Sequence, residues 1–257
     1  MAWGESPRIA SSLRRARQCL LETPPRVHQI NSMKYSGIIF DFNGVILWDS
    51  EWHDEAWRKT SKELIGREFS DEEMHNLVHG RTNKDIFTFL LKREIAGEEL
   101  EMLTQKKETN YRSIAISKPD FKLSPGAVEL FDFLRENKIA FTIATSSEKT
   151  NVDFFFKNLP LENWFDINKI VYDNGKLPGK PAPDIYLKAA EIIKLPPGMC
   201  IVVEDAVSGI RLAHNAGIGK IIALGSEGKN KKFEQVNDFI NRIITRLDQI
   251  TIVDFEN

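Results

Sequence analysis

The chain has 257 residues, of which 42% are hydrophobic and 28% are charged, a composition typical of a globular protein with a sizeable buried core. The net charge of -2 excludes a strongly basic surface for nucleic acid, and no apolar run approaches the roughly 18 residues that a membrane-spanning helix requires. The two cysteines, Cys19 and Cys200, lack the spacing of a zinc or redox motif, which favours a reducing, cytoplasmic compartment.

Residues 1–32 differ from the rest of the chain. They hold five arginines against two acids, with a Pro-Pro break and no sustained apolar period. An Arg-rich, acid-poor start is typical of a transit peptide, but Met33, just before the first predicted strand, is an alternative start. We predict that 1–32 is a disordered or non-native N-terminal extension without a secretory signal.

The first predicted strand ends at an acidic residue. The apolar run from Ile38 to Phe40 indicates a buried strand, Asp41 follows directly, and the dipeptide Asn43-Gly44 then marks a turn. Ligands bind at the carboxyl ends of strands in open parallel sheets, so Asp41 is well placed for a nucleophile or a metal ligand. An Asp that only supports a turn is the alternative, and these residues alone leave both open.

A helical segment is predicted from about residue 50 to 118, because apolar residues recur there at helical spacing. Its start and stop signals are one glycine and two capping-box patterns, at Gly66, at Ser70 with Glu73, and at Thr82 with Asp85.

From residue 119 onward, helices and strands alternate. A helix predicted from Ser124-Pro125 leads to a strand over 139–144 that ends at Thr145, and a later strand over 199–203 ends at Glu204-Asp205. The other predicted elements are a helix to Pro160, a strand at 170–171, a helix over 184–194, a helix to Gly217, a strand over 220–224, a helix over 239–247 and a last strand over 250–253. This alternation predicts an α/β fold with a parallel sheet, formed by 33–49 and 119–257.

Three predicted strands end in polar groups that suit one site. Asp41, Thr145-Ser146 and Glu204-Asp205 each follow a strand, and in a parallel sheet these ends lie on one edge. Lys180, in a proline-bracketed loop, could reach the same place. Carboxylates and hydroxyls with one cation suit a phosphate that is bound through Mg²⁺. Each group alone also suits a turn, a helix cap or a surface loop, and only the combination favours a site.

With these residues in this order, the chain resembles the haloacid dehalogenase-like (HAD) hydrolase superfamily. The motifs that carry the resemblance are Ile39-Phe40-Asp41-Phe42-Asn43-Gly44-Val45, Thr145-Ser146, Lys180-Pro181-Ala182-Pro183-Asp184, and Val203-Glu204-Asp205 with Ser208-Gly209-Ile210. They cover about residues 34–225. The resemblance is to the branch with a helical cap, which contains sugar-phosphate phosphatases and β-phosphoglucomutases. It implies a Rossmann-like core with a mobile α-helical cap inserted at 50–118.

The resemblance implies a role for each acidic residue at the sheet edge. Asp41 is expected to be the nucleophile that accepts the phosphoryl group as an aspartyl phosphate. Asp41, the backbone carbonyl of Asn43 and the side chain of Asp205 are expected to hold Mg²⁺, with Glu204 beside or in the same shell. The expected cofactor is therefore Mg²⁺.

Other residues are expected to bind the substrate. Thr145 and Ser146, with backbone N–H groups at a helix start, would bind the phosphate, and Lys180 would offset its negative charge. Closure of the cap would exclude water. The cap residues expected to face the core, which equally suit packing or surface positions, are Trp52, His53, Arg81, Thr82 and Asn83.

One position departs from the family pattern. Phosphatases and mutases of this family carry an aspartate two residues after the nucleophile, where it protonates the leaving oxygen, and Asn43 stands there. An amide cannot transfer a proton at neutral pH. Four readings stay open: a slow or specialised phosphatase, proton supply by His53, binding of phosphorylated ligands without turnover, and restoration of the carboxylate by deamidation at Asn43-Gly44.

The sequence therefore predicts an enzyme, a Mg²⁺-dependent phosphatase that acts on a small phosphorylated metabolite, a sugar phosphate, as a monomer. A β-phosphoglucomutase-like phosphotransferase is one alternative, but the mutase motif places an arginine three residues after a glycine, and Asn83 stands there when counted from Gly80. A catalytically weak phosphate-ligand binding protein is the other alternative. No nucleic-acid or membrane partner is expected.

Overall fold

The computed structural model describes residues 33–79, 81–174, 183–225 and 230–256. The predicted extension 1–32 lies outside the described residues, as do Lys180 of the predicted site and Gly80 of the mutase comparison. Within the described residues, no helix is both long enough and apolar enough to cross a membrane.

A parallel sheet forms the core. Its strands are β1 Gly37–Phe40, β2 Ala140–Glu148, β3 Val171–Asp173, β4 Cys200–Glu204, β5 Lys220–Leu224 and β6 Arg242–Ile244. They lie in the order β3-β2-β1-β4-β5-β6, which is the order of the Rossmann fold. Strands β1, β4 and β5 are buried at every position, because a parallel sheet is covered on both faces. The predicted Rossmann-like α/β fold is confirmed.

The register of the sheet brings the predicted site residues to one edge. Phe40 lies opposite Ile143 of β2 and Val203 of β4. The residues that follow, Asp41 and Glu204, are therefore neighbours at the carboxyl ends of β1 and β4. Ligands bind at this switch point in open α/β sheets.

The helical segment between β1 and β2 contains the helices α1 Ser50–Ile65, α2 Asn83–Leu91 and α3 Gly97–Ser117. Between α1 and α2, a helical turn at Asp71–Glu73 continues into a π-helix at Met74–Val78. The predicted signals are confirmed, because Gly66 ends α1 with a φ of 77° and both capping boxes form. These helices bury an apolar cluster of their own, which includes Trp57, Phe69 and Phe87. The boundaries of the cap, 50–118, stay a prediction.

The remaining α-helices are α4 Ala127–Glu136, α5 Lys149–Asn158, α6 Asp184–Ile192, α7 Val207–Asn215 and α8 Ile252–Glu256. Three-residue 3₁₀ segments occur at Leu161–Asn163, Ile167–Lys169, Pro197–Met199 and Leu247–Gln249, and a longer one occurs at Asn230–Phe239. Tyr186 of α6 and Ile210 of α7 belong to the same buried cluster as residues of β1, β4 and β5. The helices thereby cover the sheet and fix the strand ends.

Two predicted elements near the carboxyl terminus are wrong. The helix predicted over 239–247 and the strand predicted over 250–253 are replaced by β6 and by helix α8. Strand β6 pairs with β5 and places Ile244 opposite Leu224, while Ile250 and Phe255 are buried. Short apolar runs suit a strand and a helix equally, and tertiary packing decides between them.

Two predicted boundaries between 124 and 148 also differ. Helix α4 begins at Ala127 and not at Ser124-Pro125. Ser124 is buried and donates its hydroxyl to the carbonyl of Val45 at 2.6 Å, so it fixes the loop after β1 instead of capping the helix. Strand β2 continues past residue 144 to Glu148.

Candidate active site

Three carboxylates meet at the carboxyl ends of β1 and β4. Asp41 follows β1, Glu204 ends β4 and Asp205 comes next, and one oxygen atom of each lies within 4.8 Å of the others. Mg²⁺ prefers oxygen ligands, commonly one or two carboxylates with waters and substrate oxygens. The structure therefore brings the predicted metal ligands together in a set that fits a hard divalent cation.

Two glycines make room for these carboxylates. A β-carbon at Gly209 would lie 1.5 Å from Oε1 of Glu204, and one at Gly44 would lie 2.5 Å from the carboxylate of Asp205. Gly44 also has a φ of +82°, which residues with a side chain rarely adopt. The carboxylate cluster itself therefore requires glycine in the first and fourth motifs.

Glu204 is buried and held by the protein at both oxygens. Its Oε1 accepts from the hydroxyl of Tyr186 at 2.9 Å, and its Oε2 accepts from the backbone N–H of Ala206 at 2.9 Å. Burial, followed by the charges of Glu204 and Asp41, raises the pKa of Tyr186 well above its usual value. Tyr186 therefore stays protonated as a donor, and Glu204 is held in one orientation.

The side chain of Asn43 is hydrogen-bonded at both ends. Its Nδ2 donates to Oδ2 of Asp49 at 2.6 Å, and its Oδ1 accepts from the hydroxyl of Ser147 at 2.7 Å. The hydroxyl of Thr145 lies farther from the same oxygen, at 3.5 Å. The amide orientation follows from its partners, because an ionised carboxylate only accepts. Asn43 thereby links the turn after β1 to the end of β2.

Asp49 is fully buried beside Asn43. Its Oδ2 also accepts from the hydroxyl of Tyr111 and lies 3.4 Å from Nε2 of His53, while its Oδ1 accepts from the backbone N–H of Gly44 at 3.2 Å. Burial on its own raises the pKa of Asp49, but the hydrogen bonds from His53, Tyr111 and Asn43 outweigh it, so the pKa is lowered. Asp49 is therefore an ionised, buried carboxylate.

The structure places His53, one of the predicted substrate-facing residues, against Asn43. Its Nε2 is 3.3 Å from Nδ2 of Asn43, its Nδ1 is 2.9 Å from Nζ of Lys107, and its ring stacks on Tyr111 with 4.0 Å between centroids. A lysine ammonium only donates, so Nδ1 accepts and neutral His53 carries its proton on Nε2. Oδ2 of Asp49, 3.4 Å from Nε2, is an acceptor for this N–H, and the approach of Nε2 to the Asn43 amide nitrogen is a contact between two donors.

Polar contacts continue from His53 across to helix α5. Lys107 is buried and pairs with Glu108 at 2.9 Å. Glu108 accepts from Nδ2 of Asn151 at 2.7 Å, and Arg112 donates to Oδ1 of the same Asn151 at 2.7 Å. The network that surrounds Asn43 therefore joins helix α3 to the part of the chain that contains the sheet.

The predicted phosphate-binding residues occupy the end of β2. Thr145 is buried, and its Oγ1 accepts from the backbone N–H of Ser147 at 3.1 Å. Ser146 is exposed. Lys180 lies outside the described residues, so its place in the site stays a prediction.

The other predicted cap residues have contacts of their own. Trp52 is buried and packs on Phe121 with 6.0 Å between ring centroids. Thr82 caps helix α2, where its hydroxyl accepts from a backbone N–H at 3.2 Å; Arg81 is exposed, and Asn83 is the first residue of α2. Among the described residues, Arg81, Thr82 and Asn83 make no side-chain hydrogen bond or ion pair to the sheet-containing part, and their contact with substrate stays a prediction.

Four residues of the site were not assigned from the sequence: Asp49, Lys107, Tyr111 and Ser147. Asp49 precedes a helix and suits a simple turn, while Lys107 and Tyr111 belong to an otherwise ordinary charged helix. The third hydroxyl in the run Thr145-Ser146-Ser147 is the one signal in the sequence that points to Ser147.

The model of the haloacid dehalogenase-like hydrolase family matches residues 35–217. The chain is 28% identical over 184 residues to the phosphorylated carbohydrates phosphatase of Thermotoga maritima. The aligned region covers 72% of this chain and 82% of that protein. The chain is also 28% identical over 186 residues to the β-phosphoglucomutase of Bacillus subtilis, with 70% of this chain and 80% of that protein covered. A solved structure of a HAD hydrolase, family IA, variant 3, from Entamoeba histolytica is 38% identical with a TM-score of 0.80, and the match covers 86% of this chain and 97% of that one. Since the family model matches more than half of this chain, the chain belongs to the haloacid dehalogenase-like hydrolase family.

Proposed function

We propose that this protein is a Mg²⁺-dependent phosphatase that hydrolyses a small phosphorylated metabolite, a sugar phosphate, through an aspartyl-phosphate intermediate. The observation that carries the proposal is the strand-end carboxylate of Asp41, which has carboxylate oxygens of Glu204 and Asp205 within 4.8 Å. A nucleophile beside a hard-metal ligand set suits phosphoryl transfer. The phosphatase and the mutase named above support a phosphorylated carbohydrate as the substrate class.

The first chemical step forms the intermediate. A carboxylate oxygen of Asp41 attacks phosphorus, the bond from phosphorus to the ester oxygen breaks, and the aspartyl phosphate results. Thr145, Ser146 and backbone N–H groups at the start of α5 bind the phosphate oxygens. Lys180 offsets the negative charge of nucleophile and phosphate.

The proposed Mg²⁺ ligands are Asp41, Asp205 and the backbone carbonyl of Asn43, with Glu204 in or beside the shell. The close fit of Gly44 against Asp205 supports this assignment, because no side chain separates the carboxylate from the turn that follows the nucleophile. When bound, Mg²⁺ supplies charge neutralisation for the transferring phosphoryl group.

His53 is the proposed proton carrier, because Asn43 cannot serve. Its Nε2 lies 3.3 Å from the Asn43 amide nitrogen, next to the position of the family's aspartate. When Nε2–H protonates the leaving oxygen, Nδ1 takes a proton from the ammonium of Lys107, which is 2.9 Å away. In the second step Nε2 takes a proton from the water that attacks the aspartyl phosphate, and the proton on Nδ1 returns to Lys107. Phosphate is released and Asp41 is regenerated.

Residues 50–118 are proposed to act as the cap that excludes bulk water during these steps. Arg81, Thr82 and Asn83 are the proposed substrate contacts of this cap. We also propose that the protein works as a monomer. A location in the cytoplasm is proposed because Cys200 is a free, buried thiol, as is usual in a reducing compartment.

The test is phosphate release from a panel of sugar phosphates and acyl phosphates, with and without Mg²⁺. We expect Mg²⁺-dependent release by the wild type and none by Asp41→Asn, which lacks the nucleophile. Asp238→Asn, an equal charge change at an exposed position, is the matched control and should keep full activity. The phosphatase proposal fails when wild type and Asp41→Asn behave alike on every compound.

Binding without turnover is the second candidate, and the two-ended hydrogen bonding of Asn43 favours it. An amide held by Asp49 and Ser147 cannot rotate freely toward a leaving group. Calorimetric titration of the same compounds separates the candidates, because a binding protein shows saturable heat with Mg²⁺ and no phosphate release.

Two contacts argue against restoration of the carboxylate by deamidation. Deamidation at Asn43-Gly44 requires the backbone nitrogen of Gly44 to lose its proton and attack the amide carbon. That N–H donates to the carbonyl of Leu47 at 2.7 Å and to Oδ1 of Asp49 at 3.2 Å. Intact mass and phosphatase activity are measured on fresh and on aged protein. We expect that aging does not raise the mass by about 1 Da together with the phosphatase activity.

A further inference from the structure

Glu148, the last residue of β2, has its carboxylate where the sheet-containing part meets helix α3. The preceding residue, Ser147, donates its hydroxyl to Asn43 at 2.7 Å, so Glu148 lies next to the candidate site. A polar residue directly before a helix commonly caps it, but Glu148 makes no capping hydrogen bond to α5. Its Oε2 instead accepts from Nε2 of Gln105 in α3 at 2.6 Å. The carboxylate is thus directed at the helical segment.

The surroundings of Glu148 are electronegative. Asp173 of β3 lies opposite Glu148 in the sheet register, and Glu108, which is paired with Lys107, approaches from α3. Burial first, and then the charge of Glu108, raises the pKa of Glu148; Asp173 adds to this effect, while the hydrogen bond from Gln105 and the charge of Arg112 oppose it. This side of the site is therefore unfavourable for a further anion.

We propose that Glu148 makes the enzyme select substrates with a single phosphate group and a neutral or amine-bearing remainder, and reject compounds with a second phosphate. The inference rests on the proposed phosphatase function, in which the transferred phosphate lies between Asp41 and Thr145. The remainder of the substrate then extends past Asn43 and Ser147 toward α3, where it meets Glu148.

The selectivity follows from charge. A second phosphate group carries about -1.5 to -2 charges at pH 7, and a carboxylate at the same place repels it. Sugar hydroxyls and amines can instead donate hydrogen bonds to Glu148. Repulsion of the wrong substrate gives specificity without any tighter contact to the right one.

The experiment uses two matched pairs of compounds, fructose 1-phosphate with fructose 1,6-bisphosphate and glucose 6-phosphate with glucose 1,6-bisphosphate. It measures kcat/KM for wild-type protein with Mg²⁺, and affinity for the Asp41→Asn variant, which cannot form the intermediate. We expect a preference of about tenfold or more for each monophosphate. Glu148→Gln keeps a hydrogen-bonding group near Gln105 and should reduce the preference about tenfold, and Glu148→Lys should reverse it.

Two controls separate charge from structure. Gln105→Ala removes the hydrogen bond between helix α3 and Glu148 but keeps the charge of Glu148, so the preference for monophosphates should persist. Glu136→Lys makes the same charge change as Glu148→Lys on the exposed end of α4 and should leave the preference unchanged.

Equal use of mono- and bisphosphates by the wild type, or a preference that Glu148→Lys leaves intact, overturns the inference. The affinities of the Asp41→Asn variant distinguish the two possible failures. If monophosphates bind with the expected preference and nothing is hydrolysed by the wild type, the phosphatase function fails while the selectivity stands. If no compound binds, both fail.

Discussion

Replacement of Asn43 by aspartate is the most informative single change at this site. It puts a carboxylate oxygen where Nδ2 of Asn43 now lies, 2.6 Å from Oδ2 of Asp49. Two full charges at this distance would repel by about 6 kcal/mol at an effective dielectric constant of about 20. The two carboxyl groups therefore share one proton, as close carboxylate pairs do.

The shared proton has opposite effects on activity and stability. A carboxyl group at position 43 is a stronger acid than the neutral imidazole of His53, so it should take over general acid catalysis, whose full contribution is ~10²–10⁴ in rate, or roughly 3–5 kcal/mol of barrier. At pH 7 the pair must also take up a proton that free aspartates do not hold, which costs about 1.4 kcal/mol of stability for each unit by which the pKa of the pair is raised. Asn43→Asp should therefore hydrolyse a monophosphate about tenfold faster than wild type, because His53 already supplies part of this contribution, while unfolding at lower urea concentration.

A charge swap provides the matched control. Asn43→Asp combined with Asp49→Asn keeps one carboxyl group and one amide in contact, so it should recover most of the stability that Asn43→Asp loses. Phosphate release and urea unfolding are measured for the wild type, for Asn43→Asp, for Asp49→Asn and for the double variant, which together form a double-mutant cycle. An unfolding free energy that Asn43→Asp leaves unchanged would contradict the contact with Asp49, and an unchanged rate would show that proton donation does not limit turnover.

Three further changes test other parts of the structure. His53→Asn should lower kcat about 100-fold with little change in substrate affinity, measured by steady-state kinetics and calorimetry. Gly209→Ala, whose β-carbon would lie 1.5 Å from Oε1 of Glu204 in the proposed metal site, should weaken Mg²⁺ binding at least about tenfold by titration of the apoprotein. Asp254→Asn should destabilise the fold by about 2–3 kcal/mol, because the buried carboxylate of Asp254 pairs with Lys220 and Arg242. Burial on its own raises the pKa of Asp254, but the Arg242 hydrogen bond and others outweigh it and lower the pKa. This stability is therefore fully present above the ordinary aspartate pKa and is lost progressively as the pH falls through the lowered pKa of the folded protein. Urea unfolding should show a larger difference between Asp254→Asn and wild type at pH 7 than at pH 3.

The residues that sequence patterns predicted well are those whose place depends on a strand end. Asp41 and Glu204 each follow a continuous apolar run, and such runs are buried strands whenever helices alternate with them. Parallel order then forces the strand ends onto one edge, and the register of the sheet agrees, since Phe40 lies opposite Val203. Local rules sufficed here because strand, turn and glycine are all encoded within a few residues.

The residues that sequence patterns missed depend on contacts between distant elements. Asp49 and Tyr111 are separated by 62 positions and meet only because α1 and α3 pack side by side. Lys107 is a buried lysine, and no periodicity distinguishes it from the exposed lysine at 106. The strand predicted over 250–253 is wrong for the same reason. The strand that extends the sheet is β6, because its Ile244 pairs with Leu224 of β5.

Asn43 and Asp49 together explain why an amide is tolerated after the proposed nucleophile. The buried Asp49 carboxylate needs donors, and it has them in Asn43, Tyr111 and Gly44. An aspartate at position 43 would compete for those same protons, whereas the amide donates to Asp49 and accepts from Ser147 at the same time. Residue 43 is thus a neutral hydrogen-bond link between β1 and β2. The proposed proton transfer is therefore assigned to His53, the titratable side chain that contacts both Asn43 and Asp49.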